Sequence, residues 1–258
     1  MQKATKMNNN NLKIKETFAI ALQNHQKNNF KIAESLYKEI LKTKPNHFES
    51  IFYLGALLVQ TKNFDKAKQL LQKAIQIQPN FVATHNNLGI VFKELGEHKK
   101  AMSHFQKAIE INPNFKNAHY NLGVAFDKLN EFQKAIGCYE KAIQIDPNYV
   151  GAHNNLGNAF KELGEHKKAI GCYEKAIQID PNYTIAHSNL GKILGELNHV
   201  NEAKKYFEKS LNLDPNREKT CEDYGDLLLK LNQHKKALEY FKKGTGFIQF
   251  TQKDFKII

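Results

Sequence analysis

The sequence predicts an all-α chain folded as a solenoid of about seven helix-turn-helix units, each 34 residues long. Three observations carry this. Proline occurs only at Pro45, Pro79, Pro113, Pro147, Pro181 and Pro215, always 34 residues apart and always followed by Asn. A fixed period of this size marks stacked repeats. Counting each proline as position 32 of its unit, position 20 is Ala in all seven units: Ala33, Ala67, Ala101, Ala135, Ala169, Ala203 and Ala237. Position 8 is Gly in six, and position 24 is always large: Tyr37, Leu71, Phe105, Tyr139, Tyr173, Phe207 and Phe241. The period sets units at 14–47, 48–81, 82–115, 116–149, 150–183, 184–217 and 218–246. A polar segment, 1–13, is expected to be disordered, and an apolar tail, 247–258, follows the last unit.

Each unit reads as two amphipathic helices. In 82–115, Leu88, Phe92 and Leu95 recur at helical spacing and form the apolar stripe of the first helix. Gly96 then supplies a stop and turn. Ala101, Phe105, Ala108 and Ile109 make the second apolar face. Asn112 ends it, because the residue before a proline is pushed out of helical geometry. The small residues at positions 8, 20 and 27 let paired helices approach closely. The large residue at 24 is expected to fill the space between units.

Composition bounds the function classes. Hydrophobic residues make up 41% of the 258, enough for a packed core. No run reaches the roughly 20 apolar residues of a membrane span. Met1–Asn11 is polar and carries no signal-peptide pattern, so a cytoplasmic or nuclear location is expected. Cys138, Cys172 and Cys221 are too few for a disulfide framework. The formal charge of +12 points to an acidic partner, nucleic acid or a membrane surface, or else to a lysine-rich solvated surface.

The pattern Leu-Gly, then an aromatic or Leu, then Ala, Tyr or Phe, Ala and Pro resembles the tetratricopeptide repeat over about residues 14–251. The ends depart from it. Thr17, Ala21 and Asn24 stand where the family prefers bulky, Gly and bulky residues, and Gly244 and Gln249 replace Ala and Pro in the last unit. Terminal units of solenoids are atypical because one side faces water. The tail carries Phe247, Ile248, Phe250, Phe255, Ile257 and Ile258. It folds back as a cap, packs on a second copy, or marks a truncated longer protein. Residues 135–149 and 169–183 are identical, as are 92–101 and 160–169, which indicates recent duplication.

The resemblance implies a right-handed superhelix whose first helices line a concave groove, with positions 2, 5, 6, 9, 12 and 13 facing it. Position 6 then forms a column of amides: Asn87, Asn121, Asn155 and Asn189. Positions 5, 2 and 9 add Asn86, Tyr120, Asn154, Asn117 and Asn158. An amide both donates and accepts, so such a column can hold an extended peptide by its backbone. The phrase His-x-Asn-Leu-Gly is similar to the superhelical repeat domain of the O-linked N-acetylglucosamine transferases, where an asparagine ladder binds substrate chains. The bland reading is surface filler inherited by duplication. The amino-terminal end of the groove is apolar, with Phe18, Leu22, Phe52, Tyr53, Ala56 and Val59. Phe18 and Phe52 there either anchor a partner or bury against their own chain. The far end is charged, with Lys192, Lys219, Glu222, Asp223 and Asp226. The carboxylate clamp of chaperone cofactors needs Lys at position 5 and Asn at 9 of one unit. Position 5 is never Lys, so that clamp is not expected.

No catalytic or cofactor chemistry is expected. His85, His119, His153 and His187 recur at position 4 on successive units. Neighbouring helices lie about 8–10 Å apart, whereas ligands sit about 2.1 Å from a zinc ion. They read as packing histidines, with no metal site. The same spacing argues against a Cys138–Cys172 disulfide. No phosphate loop, nucleophile elbow or HExxH motif is present. All but about twenty residues are repeat, which leaves no room for a nucleotide-sugar-binding domain. Lysines at position 26 (Lys73, Lys107, Lys141, Lys175, Lys209, Lys243) and position 19 (Lys66, Lys100, Lys134, Lys168, Lys236) share one face of the second helices. They form either a solvated convex face or a basic ridge for an acidic protein, an anionic membrane or RNA. No aromatic-basic interleaving points to nucleic acid. The expected function is a non-enzymatic scaffold binding a protein or peptide in its groove. The alternatives are a self-associating module, or the repeat region of a truncated transferase-like protein.

Overall fold

A computed structural model describes residues 2–245, 248–250 and 255–257, with side chains described for residues 10–244. Fourteen helices follow one another among the described residues: α1 (Gln2–Gln26), α2 (Phe30–Thr43), α3 (Phe48–Gln60), α4 (Phe64–Ile77), α5 (Val82–Glu94), α6 (His98–Ile111), α7 (Lys116–Lys128), α8 (Phe132–Ile145), α9 (Val150–Glu162), α10 (His166–Ile179), α11 (Thr184–Glu196), α12 (Val200–Leu213), α13 (Glu218–Lys230) and α14 (His234–Thr245). The polar segment expected to be disordered lies instead in α1, which begins at Gln2. Its residues are mostly good helix formers or neutral, and nothing in them breaks a helix upstream of the apolar stripe.

The chain divides into two compact units, residues 1–125 and 126–258, with the boundary inside α7. In the first, α1 packs on α2, α3 on α4 and α5 on α6, and each pair packs on the next. In the second, α9 pairs with α10, α11 with α12 and α13 with α14, with α8 against α9. Successive odd-numbered helices touch: α1 with α3 and α3 with α5 in one unit, α9 with α11 and α11 with α13 in the other. Each unit therefore carries a face made of first helices.

The periodic residues form the core. The seven position-20 alanines are fully buried, and the position-24 side chains are at most 1% exposed. The position-24 ring sits against the glycine of its own unit rather than only between units. A Cβ on Gly89 would lie 2.5 Å from Phe105, and one on Gly157 would lie 2.6 Å from Tyr173. The turn between paired helices also repeats. Residues Asn28, Lys62, Gly96, Asn130, Gly164, Asn198 and Asn232 all have positive φ, the left-handed cap that Gly and Asn adopt most readily.

The tail adds an element that the sequence reading lacks. Ile248–Phe250 (β1) pairs antiparallel with Phe255–Ile257 (β2), with Ile248 opposite Ile257 and Phe250 opposite Phe255. The rest of the expected apolar tail, and all its side chains, lie outside the described residues.

Candidate functional site

Position 4 fixes the frame of each first helix. The Nε2–H groups of His85, His119, His153 and His187 donate to the carbonyls of Pro79, Pro113, Pro147 and Pro181 at 2.8–2.9 Å. All four rings are buried. Cys221 takes the same place in the last unit, its thiol 3.9 Å from the Pro215 carbonyl. These side chains are thus held by the loop that precedes their own helix, and among the described residues no group of three or more His, Cys, Asp or Glu could hold a metal ion.

With the helix frame set, positions 5 and 6 fall one turn edge apart. In the first unit Asn86 is 5% exposed, so its amide lies under the surface rather than on it. Asn121 Nδ2 on α7 donates to Asn86 Oδ1 on α5 at 2.9 Å. Asn87, half-buried, has no hydrogen bond among the described residues. Asn117 and Tyr120 on α7 are also half-buried.

The second unit repeats and extends this pattern. Asn154 is 2% exposed. Asn189 Nδ2 on α11 donates to Asn154 Oδ1 on α9 at 3.0 Å and to Asn158 Oδ1 at 3.1 Å. Asn154 Nδ2 in turn donates to Asn155 Oδ1 at 3.1 Å. The Tyr173 hydroxyl donates to Asn158 Oδ1 at 2.9 Å. The structure thus brings Asn154, Asn155, Asn158 and Asn189 into one network. The position-5 amides serve as buried supports, and the position-6 amides stand above them.

At the apolar end Phe52 takes the second of its two readings and buries against its own chain. Phe52 is 7% exposed and packs on Phe48 and Phe81, so it is core and not an anchor for a partner. Tyr53 is half-buried, edge-on to Phe18 at 5.6 Å and stacked on Tyr37 at 6.4 Å. Phe18 packs on Tyr37, His47 and Tyr53, not on Phe52. The physical reason is Phe81, an exposed loop aromatic that covers Phe52.

At the other end, Lys192 Nζ lies 2.9 Å from Asp223, and Lys219 bridges Glu222 at 3.1 Å and Asp223 at 3.5 Å. Burial, and then the Asp223 charge, raise the Asp226 carboxyl above its ordinary range. A cleft of about 360 Å³ is lined by Lys192, Asp223 and Asp226 together with Phe207 and Leu227.

The lysine face is less free than its sequence suggests. Lys100, Lys134 and Lys168 each pair with the glutamate three residues earlier: Glu97, Glu131 and Glu165. Each also lies 5.1–5.5 Å from the centre of a position-11 ring: Phe92, Phe126 or Phe160. Hydrogen bonds from Lys100 and Lys68 hold the Glu97 carboxyl below its usual range. At position 26, Lys107 pairs with Glu110, whereas among the described residues Lys141 and Lys175 meet only the neutral Gln144 and Gln178. Cys138 and Cys172 are free thiols pushed up to about 11 by burial. No helix among the described residues is long and apolar enough to cross a membrane.

Family models described as tetratricopeptide repeat or TPR repeat match residues 24–87, 82–115, 117–149, 138–171, 157–198, 184–217 and 219–247. A comparison with curated proteins finds no match. Among solved structures, MamA is 31% identical over 63% of this chain and 95% of its own, with a TM-score of 0.57. A tetratricopeptide repeat protein from Parabacteroides merdae ATCC 43184 covers 93% of this chain and 94% of its own at 17% identity, with a TM-score of 0.73. YrrB, described as a TPR protein with an unusual peptide-binding site, is 22% identical over 68% of this chain and 91% of its own, with a TM-score of 0.54. The last two likenesses concern the fold alone.

Proposed function

Because the chain belongs to the tetratricopeptide repeat family, we propose that it is a non-enzymatic scaffold that holds an extended segment of a partner protein along its first-helix faces. The contacts are made by side-chain amides: Asn87 and Asn121 in the first unit, Asn155 and Asn189 in the second. Asn117, Tyr120 and Asn158 flank them, and Asn86 and Asn154 support them from below. One observation supports this reading above others. The buried position-5 amides orient Asn121 and Asn189 without consuming all their hydrogen-bonding capacity. Asn121 spends one N–H on Asn86 and keeps another N–H and its oxygen. Surface filler has no need of a buried amide to aim it, because burying a polar group costs free energy unless it is paired.

The His-x-Asn-Leu-Gly phrase supports a mode of binding like that of the superhelical repeat domain of the O-linked N-acetylglucosamine transferases. The peptide-binding description of YrrB favours the same class of ligand. The paired, ring-stacked lysines at position 19 favour the amide face over the second-helix face as the place of contact.

The test is capture of the partner by the wild-type chain and by a variant carrying Asn87→Ala, Asn121→Ala, Asn155→Ala and Asn189→Ala. Capture is expected to fall at least about tenfold while circular dichroism stays helical. Asn87→Ala alone loses no internal hydrogen bond, so its effect on capture separates contact from folding. Undiminished capture by the quadruple variant sinks the assignment.

A further inference from the structure

The geometry of the second unit points to more than a generic amide face: we propose that Tyr173 sets the polarity of one peptide-reading pair, Asn158 and Asn189. This rests on the proposed function and names the part of the partner that the pair reads.

Tyr173 lies fully buried on α10. Burial raises its pKa further above the neutral range, so the hydroxyl keeps its single proton. That proton is donated to Asn158 Oδ1 at 2.9 Å. The same oxygen accepts from Asn189 Nδ2 at 3.1 Å. With two donors on its oxygen, the Asn158 amide cannot turn over without losing both bonds. Its NH₂ group makes no hydrogen bond among the described residues, and the side chain is only half-buried, which leaves that group for a ligand. Asn189 is fixed in the opposite sense. Its Nδ2 donates to both Asn154 and Asn158, which uses both N–H groups. Only the Asn189 oxygen remains to be engaged.

Two neighbouring side chains therefore present one donor, Asn158 Nδ2, and one acceptor, Asn189 Oδ1. An extended chain presents the N–H and C=O of one residue along the same edge, as it does toward a partner strand. The pair is complementary to that edge: the partner's C=O meets Asn158 and its N–H meets Asn189. Since the two amides are on different helices, α9 and α11, the match fixes which way the bound segment runs.

The pair occurs once in the sequence. Position 9 is otherwise Leu22, Ala56, Ile90, Val124, Lys192 or Asp226. In the first unit Asn121 gives only one N–H, to Asn86, and no position-9 amide stands beside it. The occupant is a peptide backbone, not a particular side chain, so the pair sets the direction of the partner segment and leaves its register and sequence to other contacts.

The experiment follows side-chain amide resonances of the ¹⁵N-labelled full chain during titration with hexaglycine and with hexasarcosine. The two probes have the same carbonyls, but hexasarcosine has no internal N–H groups. Hexaglycine is expected to shift the Asn158 and Asn189 NH₂ signals and to bind about fivefold more tightly than hexasarcosine. Tyr173→Phe keeps the ring in place but removes one of the two donors that hold the Asn158 amide, so the ratio of the two affinities is expected to fall. Asn158→Leu, which removes the acceptor shared by Tyr173 and Asn189, is expected to abolish the response at Asn189 while circular dichroism stays helical. Equal affinity for both probes in the wild-type chain, or an unchanged ratio in Tyr173→Phe, overturns the proposal. Shifts at Asn87 and Asn121 without shifts at Asn158 and Asn189 overturn the pair and leave the amide face standing. No shift at any of these asparagines overturns both.

Discussion

The side chain of Asn121 donates to Asn86 across 2.9 Å, and Asn189 makes the same bond to Asn154 across 3.0 Å, two repeats further along. In each case a position-6 amide is tied to the buried position-5 amide of the preceding first helix. The bond is both a staple between neighbouring helices and a device that aims the outer amide.

The staple has a measurable weight. Asn154→Ala removes the acceptor for Asn189 and the donor to Asn155, in a site only 2% exposed. A loss of about 1–2 kcal/mol in urea-denaturation stability is expected, typical of stranding a half-buried donor. Asn87→Ala, with no bond to lose among the described residues, is expected to leave stability within about 0.5 kcal/mol of the wild type.

This pairing also shows where sequence reading stops. The period alone placed the helix pairs, the alanine and large-residue core and the turn at Gly96, because each follows from side-chain size at a fixed helical spacing. It could not tell position 5 from position 6, since both are Asn in the units at 82 and 150. Only the stacking of first helices decides that Asn86 and Asn154 go under while Asn87 and Asn155 stay out. The period leaves Phe52 open between groove and core for a similar reason, because its cover, Phe81, comes from a loop outside the helical stripe. The lysine column at position 19 reads as free charge until the glutamate three residues back and the ring at position 11 are seen beside it.

The glycines separate packing from inheritance. Gly157→Ala would drive a Cβ to 2.6 Å from the buried Tyr173 ring and is expected to cost about 1–3 kcal/mol. Gly137 and Gly171, exposed in the middle of α8 and α10, have nothing within 4 Å of a built Cβ. Alanine at either is expected to stabilise by about 0.5–1 kcal/mol, because glycine loses more chain freedom in a helix. Thermal melts of the three single variants check both signs.

Thr84 is fully buried and its hydroxyl has no hydrogen-bond partner among the described residues. Ala118, Ala152 and Ala186 occupy the equivalent place in later units. Thr84→Val keeps the shape and deletes the unpaired hydroxyl. A gain of about 1 kcal/mol is expected by chemical denaturation.

His104 makes the first unit acid-sensitive. Burial, and then the neighbouring His85 ring, lower its pKa to about 4. His85 Nε2–H is committed to the Pro79 carbonyl, so His85 Nδ1 accepts from His104 Nδ1–H at 3.2 Å. An unfolded histidine titrates near about 6.5 and takes its proton first. The stability from neutral His104 is therefore complete above about pH 6.5 and is lost as the pH falls toward 4. His104→Leu is expected to flatten the acid limb of the stability curve in that window, measured by urea midpoints at stepped pH.

The most direct measurement places a photoreactive phenylalanine at Asn87 or Asn155 on the first-helix faces, and at Lys107 or Lys175 on the second helices, in the chain expressed with its cellular partners. The account predicts a covalent adduct with the same partner protein from Asn87 and Asn155, through an extended segment identified by mass spectrometry, and none from the lysine positions. Adducts from Lys107 and Lys175 alone would place the partner on the opposite helices and contradict it.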